Sequence, residues 1–211
     1  MQFLDAGPRD ADTALLLAPG AGAPANSCWM EDVSALLADA GFRVLRFDFA
    51  YMAERQRTGA RRPPPRAETL TGEYEAAVRA AGEQASGRLL IGGKSLGGRV
   101  ASLVAGSLFA RGTIAGLVCL SYPFHPPKQP DKLRTAHLQG LTCPTLIVQG
   151  ERDPFGGPDE VAGYGLSGAI TMHWAVDGDH DLKPRRSSGA THDGNLAEAV
   201  RAIAAFRDRL T

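Results

Sequence analysis

The chain has 211 residues, 44% of them hydrophobic and 22% charged, enough for one sizeable core and short for two full domains. Its 23 Lys and Arg balance 23 Asp and Glu, so overall charge points to no nucleic-acid and no membrane partner. Cys28, Cys119 and Cys143 form no C-x-x-C pair, which argues against a disulfide framework or structural zinc and fits a reducing, cytoplasmic compartment.

In chain order, the opening MQFLDAGPRDADTA carries acids where a signal peptide would be basic and then apolar. No later run approaches the ~18 apolar residues of a membrane span. Strands are expected at 13–19, 43–49, 88–92, 116–122, 144–150 and 170–176, each apolar almost throughout, as in strands covered on both faces. Helices are expected near 27–40, 70–86, 97–111, 158–166 and 193–210. This alternation predicts one α/β domain over 1–211, with a mostly parallel central sheet of about six or seven strands flanked by helices. The basic, proline-rich AERQRTGARRPPPRAET (53–69) reads as an exposed loop. Residues 123–143 are too few for a large lid domain.

The polar punctuation falls where such sheets gather function, at the carboxyl ends of the strands. There RLLIGGKSLGG raises two opposed readings of Ser95. Gly93-Lys94-Ser95 ends like a phosphate-binding loop, but the required first glycine is Arg88, and Leu89-Leu90-Ile91-Gly92 is strand, with no loop left to wrap a phosphate. Gly93-x-Ser95-x-Gly97 between a strand and a helix instead fits a nucleophile elbow, a sharp turn that projects the serine hydroxyl from the sheet. Lys94 receives no role in that motif.

Serine needs a base and an orienting acid, in the chain order Ser, acid, His. Asp153 follows the strand at 144–150 in QGERDPF, and His180 follows the last strand in DGDHD. His180 would take the serine proton and Asp153 would hold its tautomer. The backbone N–H of Leu96 would face the oxyanion from the helix start, and PGAG (19–22) would add a second donor at Ala21 or Gly22.

On LLAPGAGAPANSCWM, GGKSLGGRVAS, SYPFHPPKQPDKLRTAHL, PTLIVQGERDPFG and DGDHDL, the chain resembles the α/β-hydrolase superfamily. More narrowly, it is similar to the small branch that includes testis-expressed protein 30 and a scaffold subunit of the NSL histone acetyltransferase complex. The resemblance implies an α/β-hydrolase fold with Ser95, Asp153 and His180 as a triad. It implies no substrate, and the branch also holds members that look like interaction subunits.

Rivals exist for each position. Ser95 could merely pack a tight turn, Asp153 could cap a helix or shape the RDP turn, and Glu151 is the nearest competing acid. Among the other histidines, His173 lies in a strand, His137 in an expected helix and His192 in a loop. Asp177, Asp179 and Asp181 begin a calcium-loop pattern, but the required glycine and glutamate are Leu182 and Ser188. No metal and no cofactor are therefore expected.

Trp29, Tyr122, Phe124, His125 and Phe155 are candidate pocket walls, with Met30 and Tyr51 near the same strand ends. Cys28 lies beside them, though as a small residue it is expected to be buried. Arg55, Arg57, Arg61, Arg62, Arg66 and Lys183-Pro184-Arg185-Arg186 could line the mouth and suit an anionic acyl substrate, or could form a solvated surface balanced by nearby acids. The expected activity is cleavage of a small ester or thioester through an acyl-enzyme. The alternative is a weakly active or inactive interaction module on the same fold.

Overall fold

The computed structural model describes residues 2–60 and 62–210, so Arg61 of the basic segment lies outside the described residues. The strands are β1 (Leu4–Ala6), β2 (Thr13–Ala18), β3 (Arg43–Arg46), β4 (Arg88–Lys94), β5 (Gly116–Leu120), β6 (Thr145–Gly150) and β7 (Ile170–Ala175). They form one sheet in the order β1-β3-β2-β4-β5-β6-β7, parallel except for β1, which runs antiparallel to β3.

Two-sided burial explains the apolar strands. In β2, Ala14, Leu16 and Ala18 enter one core while Leu15 and Leu17 enter the other. Leu117 and Cys119 of β5 likewise oppose Val118 and Leu120. The first core is closed by helices α3 (Thr71–Gly82) and α4 (Leu96–Ala110), and the second by α1 (Cys28–Asp39) and α7 (His192–Arg209). Three layers result, with β2, β4, β5 and β6 buried on both faces.

The chain steps from β2 outward to β3, then returns across β2 to add β4 on the other side. The loops leaving β2 and β4 therefore diverge at a topological switch point, where a crevice opens at the carboxyl ends of the strands. Between β5 and β6 the chain carries only the four-residue helix α5 (Ala136–Gln139), so no lid domain covers that crevice.

Several expected boundaries change. The 53–69 segment is not one exposed loop, because α2 (Ala50–Thr58) occupies its first part and a 3-10 helix (Ala67–Leu70) its end. Helix α2 buries only Met52 fully, so its polar sequence hides the helix. The helix expected over 158–166 is the single turn α6 (Pro158–Val161). Strand β1 was not expected at all, since three residues at a half-exposed edge leave no apolar run.

One buried hydroxyl ties a helix to the sheet at the base of the crevice. Tyr74 of α3 is fully buried, and its OH donates to the Gly92 carbonyl (2.6 Å) and accepts from the Gly92 N–H (2.9 Å). Tyr74→Phe keeps the ring but removes these bonds. It should lower unfolding stability by about 1–3 kcal/mol in a urea titration; an unchanged midpoint would show that the hydroxyl holds nothing in place.

Candidate active site

Ser95 sits where β4 turns into α4. Its N–H donates to Leu120 O (2.8 Å) as the last rung toward β5, while its carbonyl accepts from Arg99 N–H (2.9 Å) as the first helical bond. One residue thus ends a strand and starts a helix, which forces φ 50° and ψ −112°. That conformation mirrors the extended region, which is open to glycine and strained for any L side chain. The neighbouring glycines make the turn possible. A Cβ at Gly93 would lie 2.5 Å from Ala18 O and 2.7 Å from Gly97 C, and one at Gly98 would lie 2.6 Å from Gly93 O.

His180 and Asp153 arrive from the ends of β7 and β6. His180 Nδ1 donates to Asp153 Oδ2 (2.8 Å), and Ser95 Oγ donates to His180 Nε2 (2.9 Å). The tautomer follows from the acid: a carboxylate only accepts, so Nδ1 carries the hydrogen and Nε2 is left as acceptor. The Asp153 side chain has no solvent exposure. Its remaining capacity is met by Phe155 N–H (2.9 Å) and by buried Gln149 Nε2 (3.0 Å). Glu151, the rival acid, instead accepts the Asp177 N–H at 2.7 Å. The His180 ring lies 4.3 Å from the Phe155 ring, centroid to centroid.

The loop that carries His180 is pinned by its own acids, each with a separate partner. Asp177 pairs with Arg185 (2.5 Å) and Arg152 (3.0 Å), and the Arg185 hydrogen bonds bring its carboxyl down to about 2. Asp179 accepts the N–H groups of Asp181 (2.8 Å) and Lys183 (3.0 Å). Asp181 accepts from Lys94 Nζ (2.6 Å). Burial pushes the Asp181 carboxyl up, but the Lys94 bond and the Lys94, His180 and His192 charges outweigh it and lower its pKa. The acid-rich spelling of this loop is thus accounted for by bonds within the loop and to the ends of β4 and β6.

Lys94 is a correction to the sequence reading. Its side chain is only 11% exposed, and Nζ also donates to the His180 carbonyl (3.1 Å) and lies 4.8 Å above the Trp29 ring. It therefore ties the β4 end to the loop that presents His180. Its partners lie 86 and 87 residues away, so no local pattern announces them. His192 is likewise not in a loop: it opens α7, and its Nε2 donates to Asp181 O (2.9 Å).

Two clefts flank Ser95. One, of about 620 Å³, is lined by Ala21, Gly22, Trp29, Met30, Lys183 and Phe155, with Lys94, His180, Asp181 and His192 also on its walls. The other, of about 340 Å³, holds Ala21, Leu96, Phe155, Arg66, Arg99 and Arg134. Trp29 lines the first cleft and Phe155 lines both. Tyr122, Phe124 and His125 line neither cleft and are 0%, 0% and 3% exposed. Ser121, at φ 54°, reverses the chain after β5 and sends Tyr122 and Phe124 into the core under α4. Cys28 is exposed rather than buried and also lines neither cleft. Tyr51 packs on Phe49 away from both. Ser102 and His137 form a second Ser–His contact (2.8 Å), but Ser102 is buried on α4 and, among the described residues, no carboxylate bonds that histidine. His173 stays in β7.

Of the basic residues singled out, Arg62 faces Glu54 at 4.0 Å and Arg185 is engaged by Asp177. Arg55 and Arg57 lie in the last turn of α2, while Arg66 and Lys183 reach the clefts. Among the described residues, no helix is long and apolar enough to cross a membrane.

A mostly parallel, doubly covered sheet with a strained serine at a strand-to-helix turn defines the α/β-hydrolase class. The chain belongs to the alpha/beta hydrolase domain family, which matches residues 11–208. Its fold is similar to dienelactone hydrolase from Anabaena variabilis (TM-score 0.71, 18% identity, covering 98% of this chain and 90% of that one). It is also similar to Est1E from Butyrivibrio proteoclasticus, solved with ferulic acid (0.69, 15%, 99% and 94%). A serine hydrolase without lid from Xanthomonas campestris gives 0.64 at 18% identity, covering 96% and 94%.

The strain at Ser95 has a measurable consequence. Ser95→Gly should raise stability by about 1 kcal/mol or more, since glycine adopts this conformation freely, whereas Ser95→Ala should not. Paired urea titrations test this; equal midpoints for the two variants would contradict a strained turn.

Proposed function

We propose that the protein is a serine hydrolase that cleaves a small ester or thioester through an acyl-enzyme on Ser95. The observation that carries this reading is the continuous bond series from Ser95 Oγ through His180 to buried Asp153, at 2.9 and 2.8 Å. Ser95 Oγ attacks the acyl carbonyl while His180 Nε2 takes its proton. Asp153 keeps Nδ1 protonated and stabilises the imidazolium that forms. The oxyanion is received by the Leu96 N–H, which as a first-turn donor has no helical acceptor, and by the N–H of Ala21 or Gly22. Collapse breaks the bond to the leaving group, which takes the proton from His180. Water, deprotonated by the same imidazole, then releases the acid and restores Ser95.

Esterase and dienelactone hydrolase activities are named for fold neighbours, which supports an ester as the scissile group. The open crevice favours short acyl groups. We place the chain in the branch of testis-expressed protein 30 on the segments quoted above, which adds no substrate. A cytoplasmic location is supported by three unpaired cysteines, one of them exposed.

A fluorophosphonate probe should label the wild type and not Ser95→Ala. On p-nitrophenyl acetate, Asp153→Asn should reduce kcat by up to about 10⁴-fold, because the amide presents the wrong hydrogen to His180. Labelling and turnover that persist in Ser95→Ala, or are absent from the wild type, would reject the hydrolase reading.

A further inference from the structure

Among the described residues, the 340 Å³ cleft carries three arginines and no acid on its walls. Arg99 enters from α4, one turn beyond Ser95, Arg134 from the segment leading into α5, and Arg66 from the end of the proline run. Glu68 neutralises one of them, through Arg99 Nη2 at 2.5 Å, from a side chain that is itself half-exposed. Arg99 Nε is buried without a partner. The Arg134 and Arg66 guanidinium groups have no hydrogen bond or ion pair among the described residues. Burial and the neighbouring Arg99 charge both lower the Arg134 pKa, the direction expected where cations crowd without enough counter-charge. The other cleft differs in kind: Lys94 there is already engaged by Asp181, and Trp29, Met30 and Phe155 supply apolar wall.

We propose that the cleft formed by Arg66, Arg99 and Arg134 beside Ser95 binds an anionic group of the substrate, a carboxylate or a phosphate, while the wider cleft takes its apolar part. The inference rests on the hydrolase reading of Ser95 and deepens it by naming a substrate class: acyl esters that carry a second, negatively charged end. Guanidinium forks suit both anions, through paired N–H donors. The cleft borders both Ser95 and Leu96, so the bound anion and the reacting carbonyl belong to one short molecule.

The test compares p-nitrophenyl hemiglutarate, with the anion on the acyl side, and 4-acetoxybenzoate, with it on the leaving side, against neutral esters of matched length. For at least one of them kcat/KM should exceed its neutral partner about ten- to a hundredfold at low salt. That ratio should collapse toward one in Arg134→Gln, fall in part in exposed Arg66→Gln, and shrink as salt rises. Glutarate and inorganic phosphate, as inhibitors of the wild type, tell the two anions apart. Ratios near one for both esters, with neutral turnover still dependent on Ser95, would overturn the anion site and leave the hydrolase reading standing. Anion binding to Ser95→Ala, seen by calorimetry and lost in Ser95→Ala/Arg134→Gln, would uphold the site even if no ester were turned over.

Discussion

Everything at this site depends on how closely three backbone segments meet at Ser95. The end of β4, the start of α4 and the turn after β2 come within contact distances that leave no room for a Cβ at Gly93, Gly97 or Gly98. A Cβ at Gly97 would run into the Ala18 carbonyl itself. The close approach holds a serine in a conformation it would not otherwise choose. It also aims the open N-terminus of α4, with its partial positive charge, at the space beside the hydroxyl. Side chains of any size at these positions would separate the layers and remove the turn.

The second constraint is electrostatic. Asp153 is removed from water and keeps its acceptor capacity filled by Phe155, Gln149 and His180. An ionised group at that depth is tolerable only with such a shell. Gln149 extends the shell by also donating to the Tyr122 carbonyl (3.1 Å), so a residue expected at the pocket wall acts instead through its backbone beneath the acid. On the other side of the imidazole, Lys94, Trp29 and His192 fasten the 180–181 backbone. His180 is thus held on both sides, its ring by Asp153 and Phe155 and its backbone by Lys94, with the adjoining Asp181 carbonyl fixed by Trp29 and His192.

The strands with apolar residues on both faces were legible because a parallel sheet needs exactly two cores and the letters supply both; β2 and β5 show this plainly. The order Ser95, Asp153, His180 was legible because each follows its own strand end, and the structure brings them together. Strand β1 and helix α2 were not, since one is short and at an edge and the other nearly all polar, so both depend on neighbours for their form. Tyr122, Phe124 and His125 misled because a strand end does not reveal which way the chain then turns; Ser121 at positive φ sends them inward. Lys94 was given no role, and Arg99 and Arg134 escaped notice, because their meaning lies in contacts between distant segments, where no periodicity operates.

The central claim is that Ser95 becomes covalently acylated during turnover. Mixing enzyme with excess p-nitrophenyl acetate in a rapid-quench instrument, then mapping the acetyl group by peptide mass spectrometry, tests it directly. The account predicts a burst of about one nitrophenolate per protein and a transient acetyl group on Ser95. Turnover without a burst or a Ser95 adduct, with deacylation shown to be slow enough for one to accumulate, would contradict it, as would an acetyl group on any other side chain in step with catalysis.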